Sequence, residues 1–206
     1  MATRNARRAP QLEPAARRAQ LLDCAMAAFA ERGIGGAGHA QVAERAGVST
    51  PTVFAYFPTR QDLIRDVLLE VHRRATGLIR DGLIRNGLAG PGSPREHLAA
   101  LLAATEAQVR ADPDTMRVYL DWVTSCDAAA QALFRSLLVE TLGLYSAYAS
   151  AAIAAGELPA TADAQDLGHF IFGTCHMIVQ MTFLDSPPGR IARYREMMLA
   201  SLIPPG

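Results

Sequence analysis

The stretch QVAERAGVSTPTVFAYFPTRQDL, residues 41–63, constrains the fold of this chain more than any other segment. Its first part has the apolar spacing of a helix of about two turns, and Gly47 interrupts that spacing. A glycine just past the end of a helix adopts positive φ without steric cost and turns the chain sharply. We therefore expect a short helix to end at Gly47 and the chain to change direction there.

A second short helix is predicted directly after this glycine. Ser49 or Thr50 can accept a backbone N–H as its N-cap, and Pro51 lies in the first turn, where the missing N–H of proline is harmless. Two short helices joined by a glycine turn form a helix-turn-helix, whose second helix fits a major groove about 12 Å wide. An ordinary helical hairpin has the same pattern, so these residues alone leave both interpretations open.

The predicted helix over residues 50–57 has two different faces. Val53 and Phe57 are four residues apart and are expected to pack in the core. The opposite face offers hydroxyl and small apolar groups suited to phosphates and thymine methyls, and a phenol that can donate to a phosphate oxygen. Phe54 is expected either to pack or to graze the DNA backbone. The outward residues are Thr50, Pro51, Thr52, Ala55 and Tyr56.

Residues 18–71 resemble the amino-terminal part of the tetracycline-repressor (TetR) family of bacterial transcription regulators. LLDCAMAAFAERG is similar to the first helix of that family, VAERAGVSTPTVFAYF to its second and third helices, and PTRQDLIRDVL to the start of its fourth. The resemblance implies a three-helix DNA-binding domain with the helix-turn-helix. It also implies a larger, divergent carboxy-terminal helical domain for dimerisation and effector binding.

The resemblance assigns DNA-binding roles to individual residues. Thr50, Pro51 and Thr52 are expected near bases or the adjacent phosphates. Tyr56 and Arg60 are expected near phosphates, with Arg60 at the start of the fourth helix, where backbone N–H groups also favour an anion.

Three nearby positions need separate interpretation. His39, at the start of the second helix, is a further phosphate candidate, and a solvated loop histidine is the alternative. Phe54 stands where the family usually has Tyr, so one phosphate hydrogen bond is expected to be absent. Gly38 stands where the family usually has Thr or Ser and is a weaker N-cap.

Composition and chain breakers predict an all-α protein of about nine helices. Half of the 206 residues are apolar, aromatic residues are few, and Ala, Leu and Arg recur throughout. The first helix is expected to run from about residue 13 to Gly33, followed by a glycine-rich loop over 33–38. After the two short helices, the predicted helices are 61–87, 94–111, 113–125, 128–155, 162–185 and 188–203. The predicted domains are a disordered basic arm over 1–12, a DNA-binding domain over 13–60, and a ligand-binding and dimerisation domain over 61–206 that begins with the connecting helix 61–87.

Charge and hydropathy indicate a cytoplasmic protein with a polyanion partner. The net charge is zero, but residues 1–60 hold eight Arg and only four acidic residues. This basic segment is suited to binding double-stranded DNA. We hypothesise that the predicted arm makes an additional DNA contact, although a solvated tail has the same composition. The longest uncharged run, 167–184, contains polar side chains and predicts a buried helix rather than a membrane span.

The last two predicted helices carry more apolar surface than one domain core needs, which predicts a homodimer. The family resemblance places a dimer four-helix bundle there. A two-fold dimer puts two recognition helices about 34–36 Å apart and predicts a near-palindromic operator. The predicted interface residues are Phe170, Ile171, Thr174, Met177, Ile178, Met181, Ile191, Tyr194, Met198 and Leu202.

The middle helices carry aromatic and Met side chains that either fill the core or line an effector pocket. Walls of this kind with few charges predict an apolar or aromatic small molecule. A ligand that prefers the conformer with wrongly spaced recognition helices would release DNA. The predicted pocket residues are Met116, Tyr119, Trp122, Phe134, Leu138, His176 and Met177.

An enzyme is not expected, because the sequence contains no G-x-S-x-G, H-E-x-x-H, Walker or Rossmann pattern. No cofactor or metal is predicted, and the pair His169 and His176 is only a weak candidate for metal ligation. The predicted function is therefore a DNA-binding transcriptional regulator, a repressor that a small effector releases from its operator. The alternative is a DNA-binding nucleoid or adaptor protein that uses the same fold without small-molecule induction.

Overall fold

The computed structural model describes residues 12–81 and 91–202, and these residues contain nine helices and no strand. The all-α prediction is confirmed. The helices are α1 (Pro14–Gly36), α2 (His39–Ala46), α3 (Thr50–Tyr56), α4 (Arg60–Ile79), α5 (Pro94–Ala111), α6 (Pro113–Val123), α7 (Ala128–Ala154), α8 (Ala164–Phe183) and α9 (Pro188–Leu202).

α1 is interrupted at Gly33, where φ is 74° and ψ is 162°. This conformation suits glycine and breaks the regular helix, as the sequence predicts. Residues 34–36 nevertheless form a further helical turn, so the prediction of a loop over 33–38 is wrong for them. Ile34 is buried and anchors that turn, which shows how packing overrides the poor helix propensity of Gly35 and Gly36.

The first three helices pack around side chains that are almost completely buried. Val53 and Phe57, the two inward positions predicted for the helix over residues 50–57, lie in this core. Its most buried large members, each at most 1% exposed, are Leu21, Phe29, Val42, Val53 and Phe57. Three helices that share one core give the short α3 a stable support, which a seven-residue helix cannot supply by itself.

The chain divides into two compact units between Val67 and Leu68, within α4. We refer to the residues up to Val67 as the amino-terminal unit and to those from Leu68 as the carboxy-terminal unit. The predicted domain boundary, between residues 60 and 61, lies at the start of the same helix. Of the predicted connecting helix, residues 82–87 lie outside the described residues, and so does the predicted arm up to residue 11.

Polar side chains fix the helix starts in the carboxy-terminal unit. Ser93 Oγ accepts the Glu96 N–H at 3.3 Å while a Glu96 carboxylate oxygen accepts the Ser93 N–H at 2.8 Å, so α5 begins at the predicted residue. Asp163 accepts the N–H groups of Gln165 and Asp166, and α8 therefore begins at 164 rather than 162. The predicted ends at 125, 155 and 185 are one or two residues too late, and the predicted end at 203 lies outside the described residues.

The largest core cluster of the carboxy-terminal unit is formed by α5, α7, α8 and α9 together with Ile79 of α4. α7 and α8 approach closely at Gly168, where an added Cβ would lie 2.5 Å from Ser146 Oγ. The same Cβ would lie 3.2 Å from the Ser146 backbone nitrogen and 3.3 Å from the Leu142 carbonyl oxygen. Glycine therefore allows the two helices to approach at this point without displacing Ser146 or the backbone of α7.

α7 is long and apolar enough to cross a membrane, the single helix of the described part of the chain with that property. It spans 27 residues, and its most apolar 18-residue window has a mean hydropathy of 1.3. Core helices of soluble proteins have the same property. In this fold α7 packs along α8 and supplies Tyr145 and Tyr148 to the core, and 28% of its most apolar window is buried, so core packing accounts for part of its apolar character.

Candidate DNA-binding and effector sites

The turn between α2 and α3 has the geometry that the sequence predicts. Gly47 has φ 66° and ψ 34°, the left-handed conformation, and the next N–H, that of Val48, donates to the Ala43 carbonyl oxygen at 3.0 Å. Ser49, rather than Thr50, is the N-cap of α3, because its Oγ accepts the Thr52 N–H at 3.4 Å. The two helices therefore form a helix-turn-helix.

The outer face of α3 presents the residues predicted to contact DNA. Pro51 is exposed, and Thr50, Thr52 and Tyr56 are partly exposed. Thr52 Oγ1 lies 2.8 Å from Ser49 Oγ, so its hydroxyl takes part in the cap. The amino-terminal end of α3 therefore offers small polar and apolar groups, and the phenol lies at its carboxy-terminal end.

His39 has a structural position that neither sequence interpretation describes. It is only 7% exposed, and its Nε2 donates to the Phe57 carbonyl oxygen at 2.7 Å. Its ring stacks on Phe54, with centroids 3.9 Å apart and planes 8° apart. The side chain is thus buried rather than solvated, and its hydrogen bond fixes Phe57 at the end of α3, while a phosphate contact by His39 stays a prediction. Phe54 packs with one face on His39 and remains 47% exposed.

Arg60, the second phosphate candidate near a helix start, supports the end of α1. Its Nη2 donates to the carbonyl oxygens of Ile34, Gly35 and Ala37 at 2.7, 2.9 and 3.2 Å. The last carbonyls of a helix lack intrahelical partners, so one guanidinium satisfies several of them. Arg60 remains exposed at the start of α4, and a phosphate contact through its other nitrogens stays a prediction.

Arg18 is a residue of the amino-terminal unit whose role the sequence does not indicate. Its Nη2 donates to Asp66 at 2.6 Å, and its guanidinium lies 5.6 Å from the Phe57 ring centroid. These contacts tie α1 to the start of α4 and to the end of α3. Arg18 and Asp66 are 48 residues apart, and no local pattern could have paired them.

The carboxy-terminal unit contains an apolar cavity of about 80 Å³. Residues of α4, α5, α6, α7 and α8 line it, and none of the described lining residues is Asp, Glu, Arg or Lys. Aromatic rings form much of the wall. These rings belong to Tyr119, Trp122, Phe134, Tyr145 and Phe172.

Six of the seven predicted pocket residues line this cavity: Met116, Tyr119, Trp122, Phe134, Leu138 and His176. Met177 does not, because the helical rotation of α8 turns it outward, and it is 44% exposed. Trp122 is held by a hydrogen bond from its Nε1 to the Ala130 carbonyl oxygen at 2.8 Å and meets Phe134 edge to face. The geometry brings these side chains together, and ligand binding stays a prediction.

Most polar groups of the cavity wall already have partners. Tyr119 Oη lies 3.2 Å from His176 Nδ1. Burial raises the pKa of Tyr119 and lowers the pKa of His176, so the two groups form a hydrogen bond between a neutral phenol and a neutral imidazole, with the donor set by the imidazole tautomer. The hydroxyls of Thr76, Thr105 and Thr141 donate to carbonyl oxygens four residues earlier at 2.8, 2.9 and 3.1 Å.

His72, on α4, is a cavity residue that the sequence prediction missed. Its Nε2 is the one buried side-chain nitrogen or oxygen in the described part of the chain without a hydrogen-bond partner. Glu140 Oε2 lies 3.8 Å away, and Oε1 of the same carboxylate forms an ion pair with Arg80. Burial lowers the pKa of His72, although Glu140 opposes this effect. One feature of the sequence could have identified His72 as a cavity residue: it lies four residues before Thr76, and this spacing places both on one face of α4.

Only some of the predicted dimer-interface residues are accessible to a partner. Ile171, Thr174, Ile178 and Ile191 are at most 3% exposed within one protomer, so they pack inward and cannot form a partner contact surface. The sequence pattern could not separate the two apolar faces of α8. The predicted residues that retain accessible surface are Phe170, Met177, Met181, Tyr194, Met198 and Leu202.

The two histidines considered for metal ligation lie in different surroundings. His169 is exposed, with Nδ1 2.8 Å from the Gln165 carbonyl oxygen, whereas His176 faces the cavity. Among the described residues, no group of three or more potential metal ligands comes together.

Comparisons with known proteins agree with the helix-turn-helix. A family model described as bacterial regulatory proteins, tetR family, matches residues 21–67. The HTH-type transcriptional regulator LuxR of Vibrio harveyi is 33% identical over 174 residues, which cover 82% of this chain and 80% of that protein. The resemblance read from the sequence is therefore confirmed.

Solved structures share the fold over nearly the whole chain. FadR from Bacillus subtilis, in complex with stearoyl-CoA, has a TM-score of 0.74 and 19% identity, covering 90% of this chain and 97% of FadR. A cysteine mutant of the TetR-family regulator CifR, complexed with a 26-base-pair operator, has a TM-score of 0.72 and 24% identity, covering 89% of this chain and 95% of CifR.

Proposed function

Because the chain belongs to the TetR family of DNA-binding transcriptional regulators, we propose that it is a cytoplasmic, homodimeric repressor released from its operator by a small uncharged effector. The helix-turn-helix carries this proposal. Gly47 aims a capped helix outward, and that helix has Val53 in the core and Thr50, Pro51 and Tyr56 on its accessible side.

The proposed DNA contacts use both ends of α3. Thr50 and Pro51 precede the first complete turn and are suited to base edges and thymine methyls in the major groove. Tyr56 lies at the other end and can donate its phenolic hydrogen to a phosphate oxygen. Arg60 and His39 act mainly within the protein, so we assign the phosphate contact first to Tyr56.

Selection from random double-stranded DNA, followed by fluorescence anisotropy, tests the DNA-binding part of the proposal. Tyr56→Phe should weaken operator binding about 10-fold or more, because a hydrogen bond to a charged acceptor contributes roughly 1.5–3 kcal/mol. Thr161→Ala, an exposed change in the other unit, serves as the control and should leave binding unchanged. Failure of the wild-type protein to bind any duplex at low salt would overturn the proposed function.

The proposed dimer uses the accessible apolar residues of α8 and α9. Phe170 is 38% exposed, Met177 is 44% exposed, and Met197 on α9 is 56% exposed. A two-fold dimer explains a near-palindromic operator with half-sites one helical turn apart. Sedimentation equilibrium should show a dimer that Met177→Glu dissociates, whereas Val139→Glu, at a 72% exposed position on α7, should leave it intact. A monomeric wild-type protein would refute this arrangement.

The cavity is the proposed effector site. A coenzyme A thioester, such as the ligand of FadR, carries charged phosphates, and the described walls offer no charged side chain to pair with them. We therefore assign an uncharged, apolar or aromatic effector to this protein. α4 contains residues of both units, and we propose that ligand binding shifts the population of α4 positions and so the spacing of the recognition helices.

A cavity-filling substitution tests the effector site without altering the DNA-binding residues. Ala75 lines the cavity, and Ala75→Leu should fill much of the space. The variant should bind the operator normally but should no longer be released by a compound that releases the wild-type protein. Ala132→Leu, at an exposed position of α7, is the matched control and should respond like wild type. Normal release of Ala75→Leu would place the effector elsewhere.

A further inference from the structure

We propose that His39 holds the ring of Phe54 in place before DNA binds, so that the open side of the ring contacts a thymine methyl group in the major groove. The inference rests on the proposed DNA-binding role of α3 and names a chemical feature of the operator. It makes Phe54 a residue that determines base specificity and His39 a positioning residue that acts through it. The contacts that carry it all lie within the amino-terminal unit.

The imidazole of His39 is fixed by groups on both sides of it. His39 is the first residue of α2, and the Gln41 side-chain oxygen accepts the Gly38 N–H at 3.0 Å, which fixes the start of that helix. The imidazole donates from Nε2 to the carbonyl oxygen of Phe57 at 2.7 Å, and the Phe57 side chain is completely buried. The plane of the His39 ring is therefore set by the protein alone.

The ring of Phe54 lies on this imidazole and leaves its other side open. The two centroids are 3.9 Å apart and the planes are 8° apart, so one phenyl face is covered. Phe54 is nevertheless 47% exposed. Pro51, three residues earlier and so on the same face of α3, is exposed as well. The accessible face of the proposed recognition helix therefore carries an apolar surface with an oriented aromatic ring.

Thymine is the base that matches such a surface. The major-groove edges of the four bases offer one apolar group, the 5-methyl group of thymine. A phenyl ring has no hydrogen-bond donor or acceptor, so Phe54 cannot pair with a phosphate oxygen or with a polar base atom. Contact with the methyl group removes apolar surface of both partners from water, whereas contact with a polar base edge would leave that edge without a partner.

The stack on His39 increases what this contact contributes to binding. A side chain that becomes ordered only in the complex loses rotamer freedom on binding, and this loss subtracts from the affinity. Because the ring of Phe54 already lies on a fixed imidazole, the loss does not fall on the binding step. His39 therefore influences base recognition through Phe54.

Replacement of thymine by deoxyuridine tests the contact, because it removes the 5-methyl group and retains the base pair. Each thymine of the selected operator is replaced in turn, in both half-sites, and dissociation constants are measured by fluorescence anisotropy. At one position, replacement should weaken wild-type binding about 10- to 20-fold, since one buried methyl group contributes about 4-fold in each half-site. Phe54→Ala should bind the thymine and deoxyuridine operators equally at that position.

Two variants of His39 separate positioning from stability. In His39→Ala, the ratio of the deoxyuridine constant to the thymine constant should fall at least about 2-fold, because ordering a free ring costs about as much as the methyl contact contributes. His39→Gln, whose amide can donate to the Phe57 carbonyl oxygen, should retain more of the wild-type ratio. Lower stability of His39→Ala with an unchanged ratio would overturn the positioning role, since a purely structural histidine would not alter the response to one methyl group.

Val139→Ala is the matched control, because it shortens an exposed apolar side chain in the other unit, and it should keep the wild-type ratio. Circular dichroism verifies that each variant is folded. The wild-type series needs no variant, so absence of any deoxyuridine effect would overturn the inference even if Phe54→Ala failed to fold. An effect that persists in folded Phe54→Ala would also overturn it. In both cases operator binding would still support the regulator, whereas a wild-type protein that binds no duplex would refute the proposed function itself.

Discussion

The contact between α7 and α8 at Gly168 leads to a quantitative stability prediction. Gly168→Ala places a methyl group 3.2 and 3.3 Å from backbone atoms of α7, and 2.5 Å from Ser146 Oγ. The hydroxyl can rotate away, but the backbone atoms are fixed in the helix. Gly143→Ala on α7 is the control, because its added methyl group meets nothing within 4 Å.

The two substitutions share one favourable effect and differ in one unfavourable effect. Replacing glycine by alanine inside a helix contributes about 1 kcal/mol of stability. Overpacking at Gly168 costs about 1–3 kcal/mol, so Gly168→Ala should be about 1–3 kcal/mol less stable than Gly143→Ala. Urea unfolding followed by circular dichroism measures the difference. Equal midpoints for the two variants, with equal slopes, would refute the close packing of α7 on α8.

Three further predictions concern the turn, the cavity and acid stability. Gly47→Ala should lower the free energy of unfolding by about 1 kcal/mol and weaken operator binding, because Gly47 has φ 66°; unaltered urea midpoint and affinity would contradict this. Trp122, the single tryptophan, should change its fluorescence saturably as an effector fills the cavity, and a constant emission spectrum during operator release would argue against that site. Hydrogen bonds from Arg73 and then Arg74 lower the pKa of Glu70 from 4.5 to about 2, so its stabilisation is present above pH 4.5 and is lost as the pH falls towards 2. The stability difference between wild type and Glu70→Gln should therefore shrink across that range, and a difference independent of pH would contradict the assignment.

Local chemistry explains why the sequence predicts the helix-turn-helix and most helix limits. Gly47 needs only its own conformational freedom to end α2, and Ser93 caps α5 through a residue three positions later. Such interactions lie within one helical turn, where residue type and spacing are sufficient. The loop predicted over 33–38 fails in part because burial of Ile34, a tertiary effect, stabilises another turn.

The positions that the sequence could not predict depend on contacts between distant residues. His39 meets Phe57 across 18 residues, and Arg60 reaches Ile34 across 26. Periodicity identifies α8 as apolar on two faces but cannot say which face packs inward, so the pattern places Ile178 at a partner interface although it is fully buried. Long-range packing, rather than residue type, decides each of these positions.

The unfilled space among the aromatic rings has a mechanical consequence. Water occupies such voids once the chain unfolds, so the total volume of protein and solvent decreases. A cavity of about 80 Å³ corresponds to roughly 50 mL/mol. This value is comparable to the decrease in volume that accompanies unfolding and makes hydrostatic pressure destabilise folded proteins. The carboxy-terminal unit should therefore be compressible, and an occupant of the void should make it stiffer.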